Sequence, residues 1–236
     1  GRVVSARGLD QLAHHTAEIS KEEDRRSWTR AEVLKDPRFF ALLPGLLAPP
    51  FIITGVLFHQ VHLVETKFWS LSSFAACYPL YAASAVVVTL VCGRLVDRYG
   101  SVQLLPYYLL PLAAGLALLA MSDAFLAAPV FMLLIGATAG GTTVVLGALW
   151  AELYGTAHLG AIRSLSYALL VLSTAIAPGL MGWLIDHGVS LDAQFLAYSV
   201  YAVICALTFS AMRPSLMADP SPPETYGSVA TPRKHN

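Results

Sequence analysis

The sequence predicts an all-α integral membrane protein that crosses a bilayer six times, on three observations. Of its 236 residues, 56% are apolar and only 13% charged, against about 25% charged in an average soluble domain. Six runs carry no Asp, Glu, Lys or Arg, over 39–64, 68–93, 99–122, 124–151, 164–185 and 193–212. About 20 such residues, rising about 1.5 Å each, cross a hydrocarbon core of ~30 Å. With six crossings, 14 of the 15 Lys and Arg fall on one face and Lys67 alone on the other. The positive-inside rule then puts both termini in the cytoplasm. A net charge of zero predicts no nucleic-acid partner.

Residues 1–38 read as a cytoplasmic lead-in, with 8 basic and 7 acidic side chains and no leader pattern. Residues 1–26 look like a solvated linker. Thr29-Arg30-Ala31-Glu32 fits a capping box that starts a short surface helix, with Trp28 as an interfacial anchor. Asp36-Pro37 reads as a cap followed by proline in the first turn of the next helix. The bundle is expected over 39–213 and a disordered, proline-rich tail over 214–236.

The first span is interrupted by Pro44-Gly45 and by Pro49-Pro50, so a kinked helix beside a cavity is expected. His59 and His62 close its outer end; without a third ligand nearby they read as interfacial polar residues rather than a metal site. The second span carries Tyr78, Tyr81 and Ser84 at intervals of three, a stripe that fits either an aqueous path or a neighbouring helix. The third, with Pro106 and Pro111, reads as a supporting helix. In the fourth, Gly136, Gly140 and Gly141 form a small-residue packing face, while Thr138 and Thr142, one turn apart, can touch a solute together. The fifth contains Ala177-Pro178-Gly179 and reads as kinked and closely packed. The sixth is the plainest. Cys77, Cys92 and Cys205 lie within apolar runs, without metal-type spacing, and read as small core residues.

Gly93-Arg94-Leu95-Val96-Asp97-Arg98-Tyr99-Gly100 links the second and third spans. A charge at mid-bilayer costs roughly 2.5–3.5 kcal/mol, so this stretch marks a membrane face, and its terminal glycines suit a tight turn. Its G-x-L-x-D-R-x-G pattern, together with the proline-glycine fifth span, resembles the C-terminal half of a major facilitator superfamily transporter, over roughly residues 28–213. Ser101 and Val102 stand where that family usually has basic residues. Ala151-Glu152-Leu153-Tyr154-Gly155 through His158-Leu159-Gly160 to Arg163 is similar to the link between the family's tenth and eleventh helices. The resemblance implies two inverted three-helix repeats and a substrate site at mid-membrane, between this bundle and an N-terminal six-helix half. It implies that the first and fourth spans line the path, through Thr54, Thr138 and Thr142. It also implies a gating cluster of Gly93, Asp97, Arg98, Gly100, Glu152 and Arg163 at the cytoplasmic face.

The function expected is therefore movement of a small solute by alternating access across the cytoplasmic membrane, with no cofactor and no metal. The path candidates are Thr54, Tyr78, Tyr81, Thr138 and Thr142. No carboxylate lies within a span to carry protons, and His59 is the weak substitute. A self-contained six-helix carrier or channel acting as a homo-oligomer is the alternative, and an intramembrane enzyme a more distant one. The chain starts at Gly1 rather than methionine, and a piece of a protein of about twelve helices is the expectation.

Overall fold

The computed structural model describes residues 28–218. The linker expected over 1–26 and the tail beyond Ala218 lie outside the described residues. Among those described the chain forms ten helices and their connecting turns: α1 (Arg30–Val33), α2 (Pro37–Phe58), α3 (Gln60–Thr66), α4 (Leu71–Ala75), α5 (Tyr78–Tyr99), α6 (Ser101–Leu104), α7 (Leu110–Met121), α8 (Ala127–Tyr154), α9 (Leu159–Asp186) and α10 (Leu191–Met217). Five segments are long and apolar enough to cross a membrane: α2, Leu71–Tyr99, α8, α9 and α10.

The third predicted span is a correction. Pro106 has no N–H for the carbonyl one turn back, and regular helix resumes only at Leu110, ahead of Pro111. What remains is α7, a short apolar helix. The segment nevertheless runs from one end of the bundle to the other, because Ser101 is hydrogen-bonded to Glu152 at one end and Asp123 to Lys67 at the other.

Three further expectations change. The stretch from Gly93 to Gly100 is not a turn: α5 continues through Tyr99, Gly93 lies inside it facing open space, and only Gly100, at φ 84°, reverses the chain. Charged residues can project beyond hydrocarbon as helix, so a turn is not needed to place them in water. The C-terminal helix passes Pro214 and ends at Met217, since Leu216 is buried in the bundle. Trp28 packs on protein instead of anchoring in the interface. Its N–H donates to the Tyr154 carbonyl (3.0 Å) and its ring meets that of Tyr154 edge-on at 5.4 Å.

The caps were legible. Asp36 Oδ1 accepts from the Arg38 N–H at 2.9 Å, with Pro37 as the first residue of α2. Glu32 accepts from the N–H and hydroxyl of Thr29 at 2.7 and 2.8 Å. The Thr29 N–H, then its hydroxyl, hold the Glu32 carboxyl below the ordinary range.

The long helices pair in a definite pattern. α5 lies along α8 and α9 along α2; α7 lies along α10, and these two also touch α8 and α2 respectively. The α5–α8 seam is the closest. A Cβ on Gly136 or Gly140 would collide with the carbonyl oxygens of Tyr81 and Ala85, so glycine is what lets the two backbones meet. Ser84 Oγ donates across the seam to the Leu133 carbonyl at 2.7 Å.

α2 stays helical through Pro44, Pro49 and Pro50 and stops at Phe58. Pro49 cannot donate to the Gly45 carbonyl, one turn back. Tyr108, from the turn between α6 and α7, supplies the donor: its hydroxyl reaches the Gly45 carbonyl at 2.9 Å in the buried interior. At the far end, Lys67 Nζ donates to Asp123 Oδ1 at 2.6 Å and lies 2.9 Å from Asp192 Oδ1 in an ion pair, with only 3% of its side chain exposed. One ammonium thus ties together the three connections at that end. Burial pushes its pKa down, but the hydrogen bonds and charges of the two aspartates outweigh this and hold it above the ordinary value of 10.5.

Tyr108→Phe leaves the Gly45 carbonyl buried without its external donor, at an expected cost of about 1–3 kcal/mol. Thermal unfolding in detergent will show a lower midpoint than Tyr201→Phe, whose hydroxyl meets a Pro44 carbonyl (3.0 Å) that has its own helical partner. Lys67→Met, with its partners 82% and 48% exposed, is expected to lose roughly 1 kcal/mol. Since the folded pKa is raised, that increment is complete below the ordinary lysine value and is lost as pH rises through the folded one. The stability gap between wild type and Lys67→Met will therefore close above about pH 10.5.

Candidate functional site

Four helices surround one polar cleft of about 330 Å³. Its hydroxyls come from Thr54 on α2, Tyr81 on α5, Thr142 and Thr143 on α8, and Tyr167 on α9, between apolar walls that include Pro49, Pro50 and Leu170. The volume lies at the low end of the ~300–1,000 Å³ usual for ligand pockets. Each helix has a local reason to present this face. Pro49 and Pro50 of α2 lie on the lining, so that interrupted stretch of the helix faces the cleft. On α8, Gly136 and Gly140 face α5, and Thr142 and Thr143 lie toward the opening.

The predicted path residues divide. Thr54, Tyr81 and Thr142, from three different helices, meet in the cleft. Thr138 does not join them; it is fully buried and donates to the Leu134 carbonyl at 3.1 Å. Tyr78 is engaged elsewhere, its hydroxyl donating to Gln60 Oε1 at 2.8 Å and its ring packing edge-on against Phe74. The stripe thus divides: Tyr81 lines the cleft, whereas the Tyr78 and Ser84 hydroxyls bond to neighbouring helices. Tyr167 and Thr143 are lining residues that sequence reasoning did not select. Tyr81 stood out by its spacing of three from Tyr78 and Ser84; the signal available for Tyr167 was a lone tyrosine within its apolar run.

A larger cavity of about 550 Å³ lies between α2, α9 and α10. The Tyr201 hydroxyl there is bound to the Pro44 carbonyl, and the Tyr198 hydroxyl is shut away from solvent. The remaining wall is almost wholly apolar and offers a solute little to orient it.

The charged end is held by hydrogen bonds rather than ion pairs. The Glu152 carboxylate accepts from the N–H and hydroxyl of Ser101, at the start of α6. A Cβ on Gly100 would sit 2.8 Å from Glu152 Oε1, so the positive φ and this close approach both favour glycine. Arg163 donates to the Gly147 carbonyl. Arg98 lies over its neighbour's ring, 5.2 Å from the Tyr99 centroid. Asp97 is exposed in the last turn of α5, where the helix dipole disfavours a negative charge. Among the described residues the ion pairs are those of Lys67, and none joins Asp97, Arg98, Glu152 and Arg163 to one another.

His59 Nδ1 lies 2.9 Å from the Gly55 carbonyl, and its ring faces Gly182 across the α2–α9 contact. His62 lines a separate shallow cleft with Asp192. Among the described residues no three His, Cys, Asp or Glu side chains are grouped to hold a metal. Cys77 and Cys205 are buried and Cys92 partly so, all as free thiols.

No curated protein and no solved structure matches the chain. The sequence model of the Major Facilitator Superfamily matches residues 39–234. That range takes in the five long apolar helices, all but the first two residues of α2, together with the short one between them and every wall of the polar cleft. The chain belongs to the major facilitator superfamily, and it is a multi-pass membrane transporter.

Proposed function

We propose that the chain forms the C-terminal six-helix half of a transporter that moves a small solute by alternating access, with the polar cleft as its share of the path. The observation that carries the proposal is the convergence of Thr54, Tyr81 and Thr142 from three helices on one opening. A solute passing through needs hydrogen-bonding groups along an otherwise apolar wall, and the cleft is where this bundle supplies them.

The pairing of helices supports six crossings in two inverted triplets. Exchanging the first three spans for the last three turns the α5–α8 contact into α9–α2 and the α7–α8 contact into α10–α2, and leaves α7–α10 unchanged. A two-fold axis in the membrane plane generates such a set. α5 and α9 keep long apolar faces uncovered, including Val87, Leu90, Tyr167 and Val171, and an N-terminal half seated there would enclose the cleft. The end holding Arg94, Arg98 and Arg163 would face the cytoplasm, with both termini, in the cytoplasmic membrane. Residues 39–213 would be the bundle. Asp97, without an ion-pair partner among the described residues, is free to meet the other half and so to bias its closure.

In a full-length protein whose native cysteines are replaced, Thr54→Cys, Tyr81→Cys and Thr142→Cys should react with a small water-soluble thiol reagent while Thr138→Cys stays inert. Three unreactive cleft cysteines would sink the path. In the same preparation Asp97→Asn should insert normally and slow uptake by about fivefold or more, the lower end of a 1–3 kcal/mol conformational coupling. Unchanged uptake at equal expression removes Asp97 from the gate.

A further inference from the structure

We infer that the cleft receives a solute that presents hydrogen-bond donors to this chain: an alcohol, amide N–H or single ammonium on an apolar body, and not a carboxylate or phosphate. The inference rests on the reading of the cleft as solute path. It follows from where the hydroxyl protons of α8 go and from the lack of charge in the lining. A threonine hydroxyl has one proton and two acceptor sites. Thr142 gives its proton to the Thr138 carbonyl at 2.7 Å, and Thr143 gives its own to the Ala139 carbonyl at 3.0 Å. Both protons are therefore held within α8, and what its threonines offer the cleft is lone pairs alone. The acidic head of a solute, itself an acceptor, meets nothing on that wall; a donor head does.

Charge points the same way. No Lys, Arg, Asp or Glu lines the cleft. Arg163 precedes Tyr167 by one turn on α9, but it is not in the lining and its guanidinium is bound to the Gly147 carbonyl. An anion entering here would lose hydration without a counter-charge from this chain. Thr54, Tyr81 and Tyr167 add hydroxyls able to donate or accept, and the two tyrosines add aromatic rings that attract a cation. Pro49, Pro50 and Leu170 supply the surface for an apolar body.

Three probes of one shape separate the alternatives: phenethylamine, phenethyl alcohol and phenylacetate. Each is tested for slowing the labelling of Thr54→Cys in the cysteine-replaced full-length protein. The amine or the alcohol should protect at a concentration about fivefold or more below that needed for phenylacetate, the value of one ordinary hydrogen bond. Thr142→Val, which keeps the shape and removes the acceptor, should lower that protection and leave phenylacetate unaffected. Protection by phenylacetate equal to or better than the others overturns the inference. So does a Thr54→Cys that labels freely under all three, which leaves the path reading standing. A Thr54→Cys that never labels defeats the path reading and this inference with it.

Discussion

Backbone polar groups inside hydrocarbon have no water to turn to, and the rest of this structure depends on how the chain meets that constraint. α2 is the critical case, because two adjacent prolines remove two helical donors in its middle. Tyr108 answers one loss by bringing its hydroxyl from the α6–α7 turn to the Gly45 carbonyl. That single bond lets a proline-bearing helix remain continuous at the edge of the cleft. It also explains why a segment as irregular as Ser101–Met121 is a brace: its break places Tyr108 where α2 needs it.

The same constraint shapes the cleft. Threonines in α8 return their protons to their own helix, so they can sit in an apolar environment without unmet donors, and Thr142 and Thr143 still show oxygen to the cleft. Glycines on the other side of α8 let α5 come close enough for Ser84 to reach the Leu133 carbonyl. One helix thus packs tightly on one face and offers polar groups on another. At the two ends, where water is present, charges take over: Lys67 gathers two aspartates at one end, and Glu152 fastens the α5–α6 reversal at the other.

Much of this was legible in sequence because hydrophobic length and charge placement report directly on membrane crossing. Apolar runs located the five long helices, and Asp36-Pro37 gave the start of α2. Helix ends were read less well. Charge-free runs stop at the first ionised residue, whereas helices continue past it, as α5 does to Tyr99 and α10 to Met217. The third span misled for a different reason, since composition cannot show that the run is split at Pro106 into α6 and α7. Among the path candidates, Thr54 and Thr142 came from the spans that the family resemblance puts on the path and Tyr81 from a stripe at intervals of three, and these three line the cleft. Thr138 was not separable from Thr142 by spacing, since two residues one turn apart share a helix side but not a depth. The long-range partners were invisible: nothing local to Lys67 names Asp123 or Asp192, and nothing near Glu152 names Ser101.

Six crossings require the irregular segment Ser101–Met121 to span the membrane, and without that neither the paired triplets nor the proposed placement of the cleft survives. Single cysteines at Tyr99 and Ala124, both exposed and flanking that segment, decide the matter in sealed membranes with an impermeant thiol reagent. Labelling of Tyr99→Cys only from the cytoplasmic side and of Ala124→Cys only from the opposite side is the predicted result. Labelling of both from the same side would contradict it.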